Sequence, residues 1–308
     1  MKILVTGGAG FIGSNLVKQL QKDGVSNVAV IDDFSTGFRE NLHGLDVELF
    51  EGSILDRDLL GCAARDTDAI VHLAARPSVP RSIQDPLASH HANATGTLHV
   101  LEAARESGAH VTLASSSSVY GANPTLPKSE QLRLMPISPY AVSKLATESY
   151  ALAYQAVYGL EVLPFRFFNV YGPGQAAGHA YAAVVPAFLD AALNDRALPI
   201  HGDGQQTRDF TFVETVTETL SIAARERVNP GDAVNLAFGT RSSLLDVVAI
   251  MEDILDSPLE RDHLESRAGD VKDSQADNAT LQSLFPSVKP VELHEGITKT
   301  IDWFRTVR

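Results

Sequence analysis

Cysteine occurs once in 308 residues, at Cys62, and tryptophan once. A single thiol leaves no disulfide framework and no thiolate metal site, so the expectation is a protein without bound metal in a reducing compartment, the cytoplasm. Positive charge is scarce: 25 Lys and Arg stand against 38 Asp and Glu, a formal net charge of −13. Nucleic acid and anionic membranes both need clustered Lys and Arg, so neither is an expected partner, while a small anion held by a few aimed arginines stays open. Long apolar runs are missing too, and none approaches the roughly 20 residues that span a bilayer. The opening MKILVTGGAGFIG is broken by Gly7, Gly8, Gly10 and Gly13 and lacks a cleavage region, which argues against a signal peptide.

What the chain does contain is a rhythm. Short runs rich in Val, Ile and Leu (KILVT, VAVID, VELFE, AIVHLA, HVTLAS, VLPFRF) alternate with longer segments of helical period. Continuous apolar strands separated by helices predict a parallel sheet covered on both faces, a doubly wound α/β domain of the Rossmann type over residues 1–169. After Asn169 the rhythm loosens into glycine-rich loops, with helices expected over 180–194 and 214–227. Residues 170–308 read mainly as a smaller lobe over the sheet's open edge. The strand AVNLAF and a helix over 244–255 are expected to rejoin the first domain.

Gly7-Gly8-Ala9-Gly10-Phe11-Ile12-Gly13 follows the first predicted strand and opens the first predicted helix. Glycines there allow a tight turn, close approach of a pyrophosphate to backbone N–H groups, and tight packing of helix on sheet. Asp32 closes the second strand about twenty residues on, where a carboxylate accepts from an adenosine ribose and repels a 2′-phosphate. NAD is therefore favoured, with Arg39 nearby keeping NADP open. Tyr140 and Lys144 stand four apart in SPYAVSKLATESYALAYQAVYG, on one helix face, so the ammonium is expected to lower the phenol from about 10 toward neutrality. Four consecutive hydroxyls, Ser115 to Ser118, end the fifth strand, where packing alone gives no reason for them.

In order, TGGAGFIG, HLAA, SSSSVYG, SPYAVSK, RFFNVYGP, RDFTFV and RAGDV resemble the extended short-chain dehydrogenase/reductase family nearly end to end, and within it are similar to the UDP-hexose 4-epimerases. The resemblance implies an isomerase: Tyr140 as acid/base, Lys144 holding cofactor ribose and tuning the phenol, and Ser116 binding the reacting hydroxyl. A C4 hydride passes to NAD and returns to the other face after the 4-keto sugar turns about its diphosphate link. Implied NAD contacts are Gly7, Gly10, Phe11, Ile12, Gly13, Asp32, Ser35, Gly37, Ser53, Ile54, Leu73, Ala74, Ala75 and Asn93, together with Tyr140 and Lys144. Implied UDP-sugar contacts are Ser78, Val79, Ser116, Ser117, Asn169, Ala183, Val184, His201, Arg208, Arg267, Asp270 and Ser274, with Ser118 a second hydroxyl near the sugar and Ser115 a strand-end cap.

Related 4,6-dehydratases place Asp and Glu where this chain has Ser117 and Ser118, and related UDP-glucuronate decarboxylases tend to place a Glu there. Without those carboxylates, hydride removal and return at C4 remains. Ser274 replaces a Tyr associated with plain hexoses, and PSVPRS (77–82) resembles the loop of epimerases acting on N-acetylated sugars. Both point to UDP-N-acetylglucosamine/UDP-N-acetylgalactosamine alongside UDP-glucose/UDP-galactose. Two departures stand out: Ala183 replaces a frequent phosphate-contacting Asn, and His201 a frequent Phe near uracil. A UDP-glucuronate 4-epimerase, a keto-sugar reductase, and a non-catalytic NAD-binding regulator stay open as alternatives, although a regulator would have no need of Tyr140 and Lys144. The segments 86–107 and 139–158 match the helices through which family members form homodimers.

Overall fold

The computed structural model describes residues 1–177, 183–265 and 272–307. Six of the apolar runs form strands: β1 (Lys2–Thr6), β2 (Asn27–Asp32), β3 (Glu48–Glu51), β4 (Ala69–His72), β5 (His110–Ser116) and β6 (Val162–Phe167). They lie in one seven-stranded parallel sheet with the strand Val234–Leu236, in the order Val234–Leu236, β6, β5, β4, β1, β2, β3. The expectation for AVNLAF is met in part, with pairing confined to Val234, Asn235 and Leu236.

Successive residues of a strand face opposite sides, and β1 shows why its run is apolar throughout. Ile3 and Val5 enter one core with Leu16, Val17 and Leu20 of the helix Phe11–Lys22, while Leu4 enters the other with Leu60, Leu101 and Ala104. Two-sided burial leaves a strand no room for alternating polar residues.

Two helices sit where their periodicity alone did not place them. Val213–Arg225, expected in the smaller lobe, buries Val216, Leu220 and Ala223 in the core shared with the first helix. Leu244–Leu255, expected to rejoin the sheet, instead buries Leu244, Val247, Val248 and Met251 in a separate core with Phe188, Ile200, Phe212, Ile297 and Ile301. The sheet face is already covered by Val213–Arg225, so the apolar stripe of 244–255 pairs with the residues that still need a partner. Among the described residues no helix is long and apolar enough to cross a membrane.

The chain reverses its winding between β1 and β4, which are neighbours in the sheet although 2 and 3 intervene in sequence. A crevice opens at the C-terminal ends of the strands at such a point, and there open α/β sheets bind ligands. Gly7, Asp32, Leu73 and Ser116 all stand at those ends.

Candidate active site

The glycine loop is shaped by close backbone approach. Gly7 takes φ +72°, and a Cβ on it would come within 2.7 Å of the Ala74 backbone N. A Cβ on Gly13 would stand 2.2 Å from the Gly7 carbonyl oxygen, inside any tolerable contact. Gly10 caps the helix Phe11–Lys22 without a side-chain bond to its first N–H groups, the kind of unpartnered donors that a helix start offers to an anionic ligand. Phe11 and Ile12 are half-buried in that first turn, and Gly37 lies so close to the loop that a Cβ would meet the Ala9 carbonyl carbon at 2.8 Å.

Asp32 does more than end β2. Its carboxylate accepts from Ala9 N at 2.9 Å and Phe34 N at 2.8 Å, tying the glycine loop to the second strand. Burial pushes its pKa up, against the pull of those two backbone bonds. Arg39 forms an ion pair with Glu51 and lies 4.4 Å from the Phe34 ring centroid, so a carboxylate offsets the charge that a 2′-phosphate would need. Ser35 is exposed, its N–H bonded to Asp33 at 2.9 Å. Ser53 Oγ accepts from Leu55 N at 3.2 Å, and Ile54 is buried.

Beyond β4, Leu73, Ala74 and Ala75 follow in half-buried positions, with Ala74 N donating to Thr6 Oγ1 at 3.2 Å. Asn93 is buried and engages the chain itself: it accepts from Arg76 N at 2.7 Å and donates to Arg76 O at 3.3 Å and Ser143 Oγ at 2.8 Å. It thereby holds the loop after β4 against the helix of Tyr140. His72 is sealed between Thr6 Oγ1 at 2.7 Å and Thr97 Oγ1 at 3.1 Å, and burial pushes its pKa down to about 3. Unfolded, the imidazole takes a proton near its ordinary value of about 6.5. The folded state therefore binds fewer protons between these values, and stability should fall as pH drops from about 6.5 toward 3. His72→Asn should flatten this loss, read as a smaller fall in Tm between about pH 7 and about pH 5; an unchanged fall would place the acid sensitivity elsewhere.

The helix Pro139–Tyr158 is capped by Ser138, which accepts from Ala141 N at 3.1 Å, and it opens with proline. Three successive turns of it are stitched to three successive residues of β5. The Ser116 side chain acts on the Tyr140 phenol to favour its ionised form, Lys144 Nζ donates to Ala114 O at 2.8 Å, and Glu148 accepts from Ser115 Oγ at 2.9 Å. Ser116 Oγ also accepts from Ser118 N at 3.2 Å and Ser118 Oγ at 2.9 Å. Ser117 and Ser118 are half-buried in the single turn that follows.

Electrostatics here correct the sequence reading. Burial pushes the Tyr140 phenol up, with the Ser116 side chain opposing it, rather than Lys144 drawing it toward neutrality. Lys144 is itself desolvated, its pKa pushed down to about 8, and its ammonium is directed at the Ala114 carbonyl. Ser115, expected as a strand-end cap, is buried and bonded to Glu148. Sequence reasoning missed Glu148 and its partner Arg166, yet an arginine inside the otherwise apolar run VLPFRF was the signal, because a buried charge needs a partner.

The residues expected on the sugar-nucleotide side gather in two places. Ser78, at φ +102°, caps the short helix beginning at Val79 by accepting from Arg81 N at 3.3 Å. Ser82 in that helix accepts from Tyr140 N at 3.0 Å, joining this loop to the Tyr140 helix. The second group surrounds the strand Thr207–Arg208. Arg208 Nη1 donates to the Thr207 and Lys272 carbonyls at 2.9 and 3.0 Å, and Ser274 N donates to Thr207 O at 3.1 Å. Asp209, buried and pushed up to about 6 by desolvation, clamps this region by accepting from Gly239 N, Ala276 N and Thr240 Oγ1, each at 3.0 Å. Asn169 N donates to Asp209 O at 3.1 Å. His201 Nδ1 lies 2.9 Å from the Glu265 carbonyl, while Ala183 is exposed ahead of the helix that begins at Val184. Arg267 and Asp270 lie outside the described residues.

Residues 3–237 match the NAD dependent epimerase/dehydratase family. The chain belongs to that family. It is 38% identical to a UDP-glucose 4-epimerase of Mycolicibacterium smegmatis over 99% of both chains. In structure it is similar to the UDP-N-acetylglucosamine 4-epimerase of Methanobrevibacter ruminantium in complex with UDP-N-acetylmuramic acid, with TM-score 0.93, 36% identity, and 100% and 99% of the two chains covered. It is equally similar in TM-score, at 0.93 and 31% identity over both full chains, to a Bacillus cereus UDP-glucuronic acid 4-epimerase in complex with UDP-glucuronic acid and NAD. The family's cofactor fits what the chain presents: a loop at Gly7 and Gly13 that a Cβ would block, helix N–H groups without a side-chain cap, and a buried carboxylate at Asp32.

Proposed function

We propose that this enzyme inverts C4 of a UDP-hexose through a transient 4-keto sugar, with UDP-N-acetylglucosamine/UDP-N-acetylgalactosamine and UDP-glucose/UDP-galactose as its substrate pairs. The observation that carries the reading is the Tyr140 helix held against the end of β5, with Ser116 acting on the Tyr140 phenol, Lys144 buried one turn on, and hydroxyls rather than carboxylates at 117 and 118. Bound NAD would supply the acceptor and donor of the C4 hydride, held by the glycine loop, Asp32 and Lys144.

Tyr140 exchanges the proton of the C4 hydroxyl, and Ser116 holds both the phenol oxygen and that hydroxyl in line. Lys144 lies one helical turn away, desolvated and donating to the Ala114 carbonyl, which fixes that turn against β5. Arg208 and Arg267 anchor the diphosphate while the sugar turns, so that either face of C4 meets the same acid/base group. Eliminating water would need an acid and a base at 117 and 118, which serines do not supply, and related decarboxylases tend to place a Glu there that this chain lacks.

Ser274 sets the acetyl-sugar reading. It is half-buried, held by its backbone to Thr207 beside Arg208, and a serine leaves room where a ring would intrude. Ser274→Tyr is expected to lower kcat/KM for the N-acetylated pair by about 100-fold while leaving the plain pair within about threefold. An unchanged ratio between the pairs, or no turnover of the acetylated pair by the parent, would remove Ser274 from the pocket. The similarity to the Bacillus cereus enzyme keeps UDP-glucuronic acid as a second reading, and the same assay run with that sugar decides between them.

We also propose a homodimer through the helices of segments 86–107 and 139–158. Leu87, Val142 and Val157 there are 71%, 52% and 70% exposed, apolar side chains that a second copy would cover. Sedimentation should give twice the chain mass; a monomer at micromolar concentration would refute the pairing.

A further inference from the structure

A charge pair with no part in the steps above lies one turn beyond Lys144. Glu148 and Arg166 are sealed from solvent, with side-chain exposures of 4% and 3%. Their contact is two-pronged, Arg166 Nη2 donating to Glu148 Oε1 at 2.6 Å and Nε to Oε2 at 3.0 Å. Oε2 also accepts from Ser115, the neighbour of Ser116. On the other side Arg166 Nη1 donates to Tyr120 Oη at 2.9 Å and Glu130 O at 3.0 Å. Tyr120 Oη donates to Asn235 Oδ1 at 2.7 Å, and Asn235 Nδ2 donates to Lys128 O at 2.8 Å and Asp277 O at 3.1 Å. Lys128 N in turn donates to Gln275 O at 2.7 Å, the residue after Ser274.

A buried ion pair is a poor way to gain stability, because desolvation cancels much of the attraction and well-packed apolar side chains of similar volume serve as well. What this pair supplies is direction. Each bond is charge-assisted and geometrically demanding, and the bonds converge on the two ends of Ser115–Tyr120, the segment that carries the serines. Tyr140, Lys144 and Glu148 share one helix face at spacings of four, so fixing Glu148 against Ser115 sets the helix in register with β5 where Tyr140 meets Ser116.

We propose that Glu148 and Arg166 are positioning residues of the reaction: through Ser115 and Tyr120 they hold the serine segment in register with Tyr140 and tie it to the segment that carries Ser274 and Gln275. The proposal rests on the acid/base role given to Tyr140. Loss of the pair loosens Ser116 against the phenol, which removes a donor to the phenolate and raises the energy of the charged form.

The test is the double variant Glu148→Leu/Arg166→Met, which leaves no lone buried charge, with Ser115→Ala as a smaller cut in the same chain of bonds. Circular dichroism and Tm should show a folded protein, and NAD content should match the parent. Turnover should fall about 10- to 100-fold in the double variant and about 5-fold in Ser115→Ala, with KM within about threefold in each. Tyrosinate absorbance, taken as the difference from the same protein carrying Tyr140→Phe, should show Tyr140 titrating about half a pH unit or more higher. Unchanged kcat and an unchanged Tyr140 titration in a folded variant would overturn the proposal and leave the pair a packing feature. If the double variant does not fold, Ser115→Ala decides by the same two readouts. The titration needs no turnover, so a parent inactive on every hexose pair would sink the function reading while the phenol still judges the positioning role.

Discussion

Tyr140→Phe should lower kcat by about 1,000-fold or more while NAD content and UDP affinity stay near the parent's. The substitution removes one oxygen from a half-buried ring and leaves the helix, its Ser138 cap and Lys144 in place. The groups proposed to bind lie elsewhere: the glycine loop and Asp32 at the ends of β1 and β2, and Arg208 on its short strand. Only the proton path at the C4 oxygen is cut, and Ser116 cannot replace it, because an unactivated hydroxyl is a far weaker base than a phenolate. Epimerase turnover within tenfold of the parent in that variant would remove Tyr140 from the acid/base role. A parallel loss of NAD would show instead that the ring matters for the fold.

Asp32→Ala should cost retained NAD more than any other single change at the edge of the site. The carboxylate accepts from Ala9 N and Phe34 N and so holds the loop, and in the proposed reading it also accepts from the cofactor ribose. Charge-assisted bonds are worth about 1.5–3 kcal/mol each, so losing the ribose contact alone predicts about 100-fold weaker binding. Releasing two loop donors adds to it by loosening the glycine loop, the segment proposed to meet the pyrophosphate. UDP affinity, which the proposed reading assigns to Arg208 and its neighbours, should change by less than about threefold. Purified variant with parental NAD content would show that Asp32 serves the loop and not the ribose.

The first half of the fold was legible because its signals are local. A strand buried on both faces reads as a continuous apolar run, and Gly13 announces a helix pressed on a loop because no other residue fits 2.2 Å from a carbonyl. Helix placement was harder. The stripes of Val213–Arg225 and Leu244–Leu255 say that one face is buried, and say nothing of what it is buried against. The site divides in the same way. Tyr140, Lys144 and Ser116 could be picked out by spacing and resemblance, whereas the direction of the phenol's shift depends on whether burial or the nearby ammonium dominates, a matter of atomic placement. Glu148 and Arg166 are 18 positions apart in unlike elements, and only the packing of helix on strand brings them together.

The claim that C4 is inverted by an enzyme that returns its own hydride is tested most directly by proton NMR of UDP-N-acetylglucosamine and, separately, UDP-glucose incubated with the purified protein and no added cofactor. The anomeric signal of the galacto epimer should grow to a constant ratio, reached equally from UDP-N-acetylgalactosamine and UDP-galactose, with no 4-keto-6-deoxy sugar or pentose formed. Products that have lost water or carbon dioxide, or unchanged spectra from an NAD-loaded protein with both pairs and with UDP-glucuronic acid, would contradict the account.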